Sequence, residues 1–555
     1  MSRGWLRGGL AAIAAALAAV EARAVTIQVD VANVTGVEDG TPAHPYDSIQ
    51  EGVDHALAGD RVQVAPGIYK ETVLMKDDVS VLGSGARTTI IDGTGLSNSV
   101  VTFDRTRQSP LLTGFTIRAG HGDQISETGG MPVFAGGGIL ILDSSPVIYR
   151  NVVTQNTITQ GYCLGAGIYV RSTSSAPHIV ENVISHNVAL SGNVPGSGEG
   201  GAVYIATKTG SVLLEGNLIE SNQAVNGGGI YIDNATSSTV EVRRNVIRYN
   251  DAVHGGAVFS RVLGGAVTTI ESNLILDNAS GGAGAQGAGV YALALATGGF
   301  SIVNNSLVDN DAPAGNGGAI WLNDAASNQA NVVTNNVIAG NTALHGGGID
   351  HTAFHGTIRR NDFFNNTGGN VYDGGGGAPP PIESLFVDPA FASPAQKNYR
   401  LGTSSACIDA SFEGAAPDDD LDGLPRPFDG NGDASAVSDL GAYEYPGGEV
   451  LGVTFLADGN SLSWQTLAFQ SGYNVYRGSL ARLKSTGAYT QDPIVEPLAA
   501  RFCNVLPGQV PFTDTYVPPP GPGVFYLATV VLGGAEGPLG PSSIGLPRPN
   551  DEPCP

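Results

Sequence analysis

Two short strings recur in step through the middle of the chain, and no other feature limits its folding so tightly. The first is a Gly/Ala-rich step into a β-branched residue: Gly-Gly-Gly-Ile139, Gly-Ala-Gly-Ile168, Gly-Gly-Ala-Val203, Gly-Gly-Gly-Ile230, Gly-Gly-Ala-Val258, Gly-Ala-Gly-Val290, Gly-Gly-Ala-Ile320 and Gly-Gly-Gly-Ile349. The second, Asn-x-apolar-x-x-Asn, follows 12 to 16 residues later and begins at Asn151, Asn182, Asn217, Asn245, Asn273, Asn305, Asn336 and Asn361. From Ile139 to Ile349 the eight copies span 210 residues in seven intervals, a mean period of 30. A fixed period of this size means a solenoid, in which each unit buries its apolar face only by stacking on its neighbours.

The content of each unit excludes a helical solenoid. Gly, Asn, Thr and Val are poor helix formers, and no 3.6-residue stripe runs through the repeats. Short alternating runs such as Ile230-Tyr231-Ile232 and Val240-Glu241-Val242 read as strands bounded by turns. Three short strands and their turns fill one coil of a right-handed parallel β-helix, and eight coils ~4.8 Å apart make roughly 38 Å of rod. Gly then supplies the positive φ of a corner, and the Ile or Val beside it points inward onto its counterparts. The Asn residues are expected to form ladders, each amide bonding turn backbone and the Asn of the next coil. The expected fold class is all-β: a right-handed parallel β-helix followed by a small β-sandwich.

Gly-Gly-Ala-Ile followed by Asn-x-Ile-x-x-Asn resembles the repeat of polymorphic outer-membrane proteins and of right-handed parallel β-helix repeat proteins generally. The resemblance covers roughly residues 46 to 370. It speaks for fold and says little of activity, because that fold hosts lyases, hydrolases, epimerases and plain adhesins. The run from Gly59 to Tyr69, Gly-Asp-Arg-Val-Gln-Val-Ala-Pro-Gly-Ile-Tyr, is similar to the opening of pectin-lyase-like proteins. With Val79-Ser80-Val81-Leu82-Gly83 and Thr89-Ile90-Ile91-Asp92-Gly93 it implies about three further coils before the regular repeats.

A β-helix must cover its apolar ends, because exposed strand edges recruit other chains. At the N-terminal side Ser48-Ile49-Gln50-Glu51 is a capping box, and Ile49, Val53 and Leu57 share a helical face, which predicts a short amphipathic plug. At the other side the pattern breaks at Gly374 to Gly377 and Pro379 to Pro381, a linker composition. The following strings resemble a choice-of-anchor domain of type Q: Phe386-Val387-Asp388-Pro389, Asn398-Tyr399-Arg400-Leu401, Gly423-Leu424-Pro425-Arg426-Pro427 and the run from Asp439 to Glu444. From Val450 onward, strand-like runs with Trp464 early and Tyr526 late suit a small β-sandwich and resemble a fibronectin type III module. The organisation read from the chain is a leader over 1–24, the β-helix over 25–385, the Asp-rich segment over 386–447 and the sandwich over 448–555.

Arg3 and Arg7 precede an apolar run from Gly8 to Val20, and Ala22-Arg23-Ala24 is a small-x-small cleavage site, the pattern of a secretory signal peptide cut before Val25. No later stretch has the ~18 apolar residues of a membrane-spanning helix. The chain is therefore expected to be exported, outside or on the surface of a bacterial cell, and monomeric. Among four cysteines, Cys503 and Cys554 are placed to bridge and pin the tail, whereas Cys163 and Cys407 read as unpaired small apolar residues. The net charge of −24, from 51 acids against 27 Lys plus Arg, argues against a nucleic-acid partner, which needs basic surface.

Three sets of residues are candidates for chemistry. Asp418, Asp420 and Asp422, followed by Gly423, alternate as at the start of an EF-hand loop, with Asp429 at the twelfth position and Asn431 and Asp433 continuing the alternation. The pattern points to a structural Ca²⁺, although Pro425 and Pro427 interrupt the loop and Asp stands where such loops have Glu. The residue after the inward Ile or Val is Tyr169, Tyr204, Tyr231, Phe259, Tyr291 and Trp321 in six successive repeats, a stripe pointing outward that could stack on sugar rings or on itself. Asp277 and Asp309 hold the same position in adjacent repeats, which suits either the paired carboxylates of a retaining glycosidase or a solvated turn. His345, His351 and His355, with Asp350, could collect a metal or serve acid–base chemistry.

The Asn-Thr-Asp string of polygalacturonases, the Asp-Gly-x-Asp-Phe-Ile-Phe-Gly string of pectin methylesterases and the Gly-Gly-x-Gly-x-Asp calcium nonapeptide are missing. The longest inter-repeat loop, around Leu190 to Glu199, supplies an acid with no base close in sequence. These residues predict an extracellular module that binds polysaccharide or a cell-surface glycan through the stripe without cleaving it. The rival reading is a polysaccharide lyase or glycoside hydrolase.

Overall fold

The computed structural model describes residues 25–555 apart from 107–108, 283, 296, 325–330, 376–381, 431–434, 446–452, 457–460, 465–471, 517–522, 533–534, 538, 540–547, 549 and 555. The leader, Asn431 and Asp433 therefore lie outside the described residues. Two compact units divide the chain, residues 1–387 and 388–555.

The first unit is a right-handed parallel β-helix. One coil carries the strands Ile230–Asn234, Thr239–Arg243, Val246–Arg248 and Asp251–Ala252 before Val258–Val262 opens the next. Equivalent strands pair in parallel, giving sheets of 12, 11, 11 and 7 strands among the described residues. The sequence predicts three strands per coil, and the fourth is only two residues long, too short to show alternation. The sheet that begins at Val73–Leu74 and ends at Val371–Asp373 carries the aromatic stripe and is called the aromatic sheet below.

The interior follows the repeat. Ile139, Ile168, Val203, Ile230, Val258, Val290, Ile320 and Ile349 are partners in one parallel register, and each is 0% exposed. The corner before each of these residues has to be glycine where the chain doubles back. At Gly227, φ is +62°, and a Cβ there would lie 2.4 Å from the Ile230 carbonyl oxygen.

The Asn residues make two ladders inside the coil corners. In the first, the Asn182 N–H donates to Asn217 Oδ1 at 2.9 Å, and Asn182 Nδ2 donates to the Ile148 carbonyl at 2.9 Å and to Asn217 Oδ1 at 3.1 Å. The second runs through Asn156, Asn187, Asn222, Asn250, Asn278, Asn310, Asn341 and Asn366 in the same way. Each buried amide thus satisfies backbone groups that a corner would otherwise orphan. The first ladder ends where the Asn361 N–H donates to Ser384 Oγ at 3.2 Å.

The N-terminal plug is a helix over Ile49–His55, with Ser48 Oγ accepting from the Glu51 N–H at 3.3 Å. Ile49 and Val53 are buried, but Leu57 is 71% exposed, against the sequence expectation. The helix stops at His55 and Ala56 is extended, so the four-residue spacing no longer holds at Leu57, and Ala56 is buried instead. An unexpected strand, Thr26–Val29, adds a rung beyond Arg61–Val64.

In the second unit, a hairpin of Phe391–Ser393 and Asn398–Leu401 is followed by irregular chain and two small antiparallel sheets. Leu462 from one sheet shares a core with Tyr473, Val475, Val505 and Val530 from the other, and Trp464 joins it. Cys503 and Cys554 form a disulfide, while Cys163 and Cys407 are free and buried. Among the described residues, no helix is long and apolar enough to cross a membrane.

Candidate functional site: the aromatic sheet and its polar flank

Strand alternation turns the stripe residues away from the core, and parallel register sets one above another. The result is a continuous column. Ring centroids are 5.2 Å apart for Tyr169–Tyr204, 5.0 Å for Tyr204–Tyr231, 4.7 Å for Tyr231–Phe259, and 4.4 Å for both Phe259–Tyr291 and Tyr291–Trp321. The rings are within 18° of parallel throughout. Both faces of each inner ring are therefore occupied by its neighbours.

Five of the six residues are buried, Tyr231 at 3% exposed, and Tyr291 is half-buried. At the Tyr169 end, Leu140 and Ala135 join the column's apolar cluster, and Ile125 and Leu164 pack against it. Ile125 and Ala135 come from an antiparallel hairpin, Asp123–Thr128 with Met131–Ala135. Of the two readings of the stripe, stacking on sugar rings or on itself, the inner rings take the second. Stacking on itself is the nearest source of apolar contact for a ring repeated every coil, and it leaves only ring edges. Burial pushes the phenols of Tyr169 and Tyr291 up to about 12 and raises those of Tyr204 and Tyr231 as well.

A row of polar residues flanks the column. Glu199, Asn226, His254, Gln286 and Asn316 are bridged in parallel, one per coil, immediately before the corner glycine. On the other side of the rings, Arg261 donates to Asp233 from Nε at 3.1 Å and from Nη2 at 2.8 Å. Burial raises the Glu199 carboxyl, with Arg261 opposing the shift and Asp233 adding to it. Glu199 and Asp233 also act on the Tyr204 and Tyr231 phenols. Three successive coils therefore place an acid and an Asp–Arg pair on either side of two hydroxyl-bearing rings, within electrostatic reach of one another. This corrects the reading of Glu199 as an acid without a base: Arg261 is 62 residues further on but only two coils away. The signal was present in the repeat register, since Asp233 and Arg261 hold equivalent positions in adjacent strands.

The other candidates do not converge. Asp277 and Asp309 sit in left-handed corners, φ 51° and 53°, beside the second Asn ladder rather than on the aromatic sheet. His351 points inward in the last full coil and is buried, with Nδ1 3.6 Å from Asp373 Oδ1. His345 lies outside, stacked on Tyr372 at 4.5 Å, and His355 is exposed in the loop between Ile349–Thr352 and Thr357–Arg359. A metal site built on the three histidines is corrected accordingly: His351 is buried inside the coil, whereas His345 and His355 are exposed. Asp350 takes the next place in the aromatic column, between Trp321 and Tyr372, and is 1% exposed. Burial first, and Asp373 second, push its carboxyl up to about 7.

The Asp-rich loop uses its acids on protein partners. Asp420 is fully buried, and its two oxygens accept the Leu424 N–H at 2.7 Å and the Glu444 N–H at 2.8 Å. Asp422 takes a two-point contact from Arg400, at 2.8 and 2.7 Å. Asp418 is exposed and Asp429 half-buried. Asp418, Asp420, Asp422 and Asp429 thus do not gather around one point. Among the described residues, the trio whose carboxylate oxygens lie within 4.8 Å of one another is Glu38, Asp47 and Glu51, beside the N-terminal plug.

Residues 124–307 match the family described as the right handed beta helix region. Solved structures similar to the chain include the complex of XylC with xylose, at 10% identity and a TM-score of 0.36, over 76% of this chain and 98% of that one. Pectate lyase Pel9A is similar at 11% identity and a TM-score of 0.38, over 76% of this chain and 97% of that one. The DFA-IIIase of Arthrobacter chlorophenolicus A6 without its lid is similar at 12% identity and a TM-score of 0.30, over 65% of this chain and 92% of that one. No curated protein matches the chain.

Proposed function

We propose that the chain is an exported β-helix protein that binds extracellular polysaccharide along the aromatic sheet. Contact is made with the polar edge of the ring column rather than with ring faces. The observation that carries this reading is the row of Glu199, Asn226, His254, Gln286 and Asn316, bridged one per coil beside the ring column. A polymer lying along the rod meets a carboxyl, amide or imidazole of the polar row on every coil, at ~4.8 Å spacing. Such a row recognises a repeating chain of hydroxyls without a reactive group. The leader pattern of residues 1–24 and the Cys503–Cys554 disulfide support an oxidising, extracytoplasmic location. In this reading, residues 386–447, similar to a choice-of-anchor segment, and the fibronectin-like module serve retention rather than recognition.

The test is a glycan array on the full chain, followed by assays for new reducing ends and unsaturated uronates on each hit. Binding that is lost in Tyr204→Phe plus Tyr231→Phe, with no new ends, supports the reading. A second reading, cleavage, is favoured by one observation: Glu199, half-buried in the polar row, has its carboxyl raised by burial, as a general acid requires. New ends that disappear with Glu199→Gln would replace binding by catalysis.

A further inference from the structure

We propose that the polysaccharide taken by the aromatic sheet is uncharged, and that polyuronates are rejected. This rests on the reading of that face as a glycan site and names its ligand class. A polyuronate brings one carboxylate per sugar, and burying these against protein requires a cation for each, either a free Arg or Lys or a bound metal. Among the described residues, the arginines that the strands of the aromatic sheet turn outward do not provide one, and exposed Lys208 stands beyond the end of the strand Val203–Thr207 rather than on it. Arg171 already donates to Asp143 at 3.2 Å, and Arg261 is held by both oxygens of Asp233. His254, in the polar row, is held toward its neutral form by burial.

Metal bridging finds no better support, because no three carboxyl or imidazole groups of this face come within coordinating distance of one another among the described residues. With Asp143 and Asp233 neutralised by their arginines, Glu199 leaves this face acidic, on a chain whose net charge is −24. A polyanion is therefore repelled both at long range and at contact. An uncharged sugar meets the opposite situation. Its hydroxyls both donate and accept, which matches the amides of Asn226, Gln286 and Asn316 and the phenols of Tyr204 and Tyr231. The inference also limits chemistry: should the face cleave its ligand, β-elimination is excluded, since it depends on a uronate carboxylate to acidify the neighbouring proton.

Affinity electrophoresis of the full chain should be run through gels containing glucan, xylan or galactan, and in parallel through polygalacturonate or alginate, with Ca²⁺ or with chelator. Retardation by at least one uncharged polymer is expected, with none by either uronate under any condition. The variant Glu199→Gln plus Asp233→Asn frees Arg261 and removes two charges. It should gain at least ten-fold in polyuronate affinity, and that gain should vanish in high salt. Native protein that binds polyuronate as tightly as any uncharged polymer overturns the inference while leaving glycan binding intact. Failure to bind any polymer in either set overturns both.

Discussion

The main-chain N–H and the side-chain amide of Asn245 donate to the same atom, Oδ1 of Asn273, at 2.9 and 3.0 Å. Asn245 in turn accepts the Asn217 N–H, and its two Nδ2 hydrogens are shared among Asn273 Oδ1 and the Leu214 and Arg243 carbonyls. One side chain therefore serves backbone groups from neighbouring coils, and no apolar residue of equal size can do the same.

The first prediction follows from that arrangement. Asn245→Ala and Asn245→Leu should destabilise the β-helix alike, by about 2–4 kcal/mol, since each leaves buried N–H and C=O groups unpaired. Denaturant unfolding gives the magnitude, and hydrogen exchange should show the loss of protection centred on Asn217 and Asn273. A Leu variant as stable as the native chain would mean that the ladder contributes packing volume and little else.

The ladders and the interior stack were legible in the sequence because each rests on one residue type repeated in register, and register is all that a solenoid needs. The aromatic column was legible in position but not in burial. Alternation sets the side of the sheet for Tyr231, but whether Tyr204 and Phe259 consume its faces depends on ring spacing, which periodicity does not express. That Arg261 lies only two coils from Glu199 is hidden for a related reason, because proximity along the rod axis does not show as proximity along the chain. In the second unit, Asp422 read as a calcium ligand because its partner, Arg400, lies 22 residues earlier in a stretch with no period to reveal it. Leu57 failed on a helix end, where one extended residue cancels the pattern.

Tyr231 separates the structural from the recognition role of the column. Tyr231→Ala should cost about 3–5 kcal/mol, the range for removing a buried aromatic side chain, and disturb both neighbouring rings. Tyr231→Phe keeps the stack, so its melting temperature should match the native value while glycan affinity falls. Equal affinity in Tyr231→Phe and the native chain would remove the hydroxyl edge from the binding face.

Chelation should leave the melting curve of the full chain unchanged, because Asp420 and Asp422 are already paired with backbone N–H groups and Arg400. Asp422→Ala, by contrast, strands a guanidinium that is almost fully buried and should cost about 3–5 kcal/mol. Calorimetry with and without chelator checks both. A chelator-induced drop in melting temperature that Asp422→Ala abolishes would restore the calcium reading.

The Cys503–Cys554 bridge closes a loop with a sequence separation of 51. On chain-entropy grounds such a closure is worth about 4 kcal/mol, all of it in the second unit. Reduction should lower the transition of residues 388–555 alone. If the β-helix transition moves by the same amount, the two units unfold as one cooperative system.

Asp350 makes stability depend on pH in a direction that can be stated in advance. Its carboxyl is raised to about 7 in the folded chain, against ~3.9 for an unperturbed Asp. Between these values the folded chain holds a proton that the unfolded chain has released, so stability falls as pH rises from about 4 to 7. His351, lowered by burial, acts in the opposite sense below its ordinary range, since the unfolded chain takes up a proton that the folded chain refuses. Comparing Asp350→Asn with the native protein cancels the His351 contribution, which both chains share. The variant should match native stability near pH 4 and exceed it by about 1–3 kcal/mol at pH 8, where the native chain carries a buried carboxylate between Trp321 and Tyr372. A difference that stays flat across this range would show that Asp350 is ionised throughout, with its charge answered by a group in the last coil.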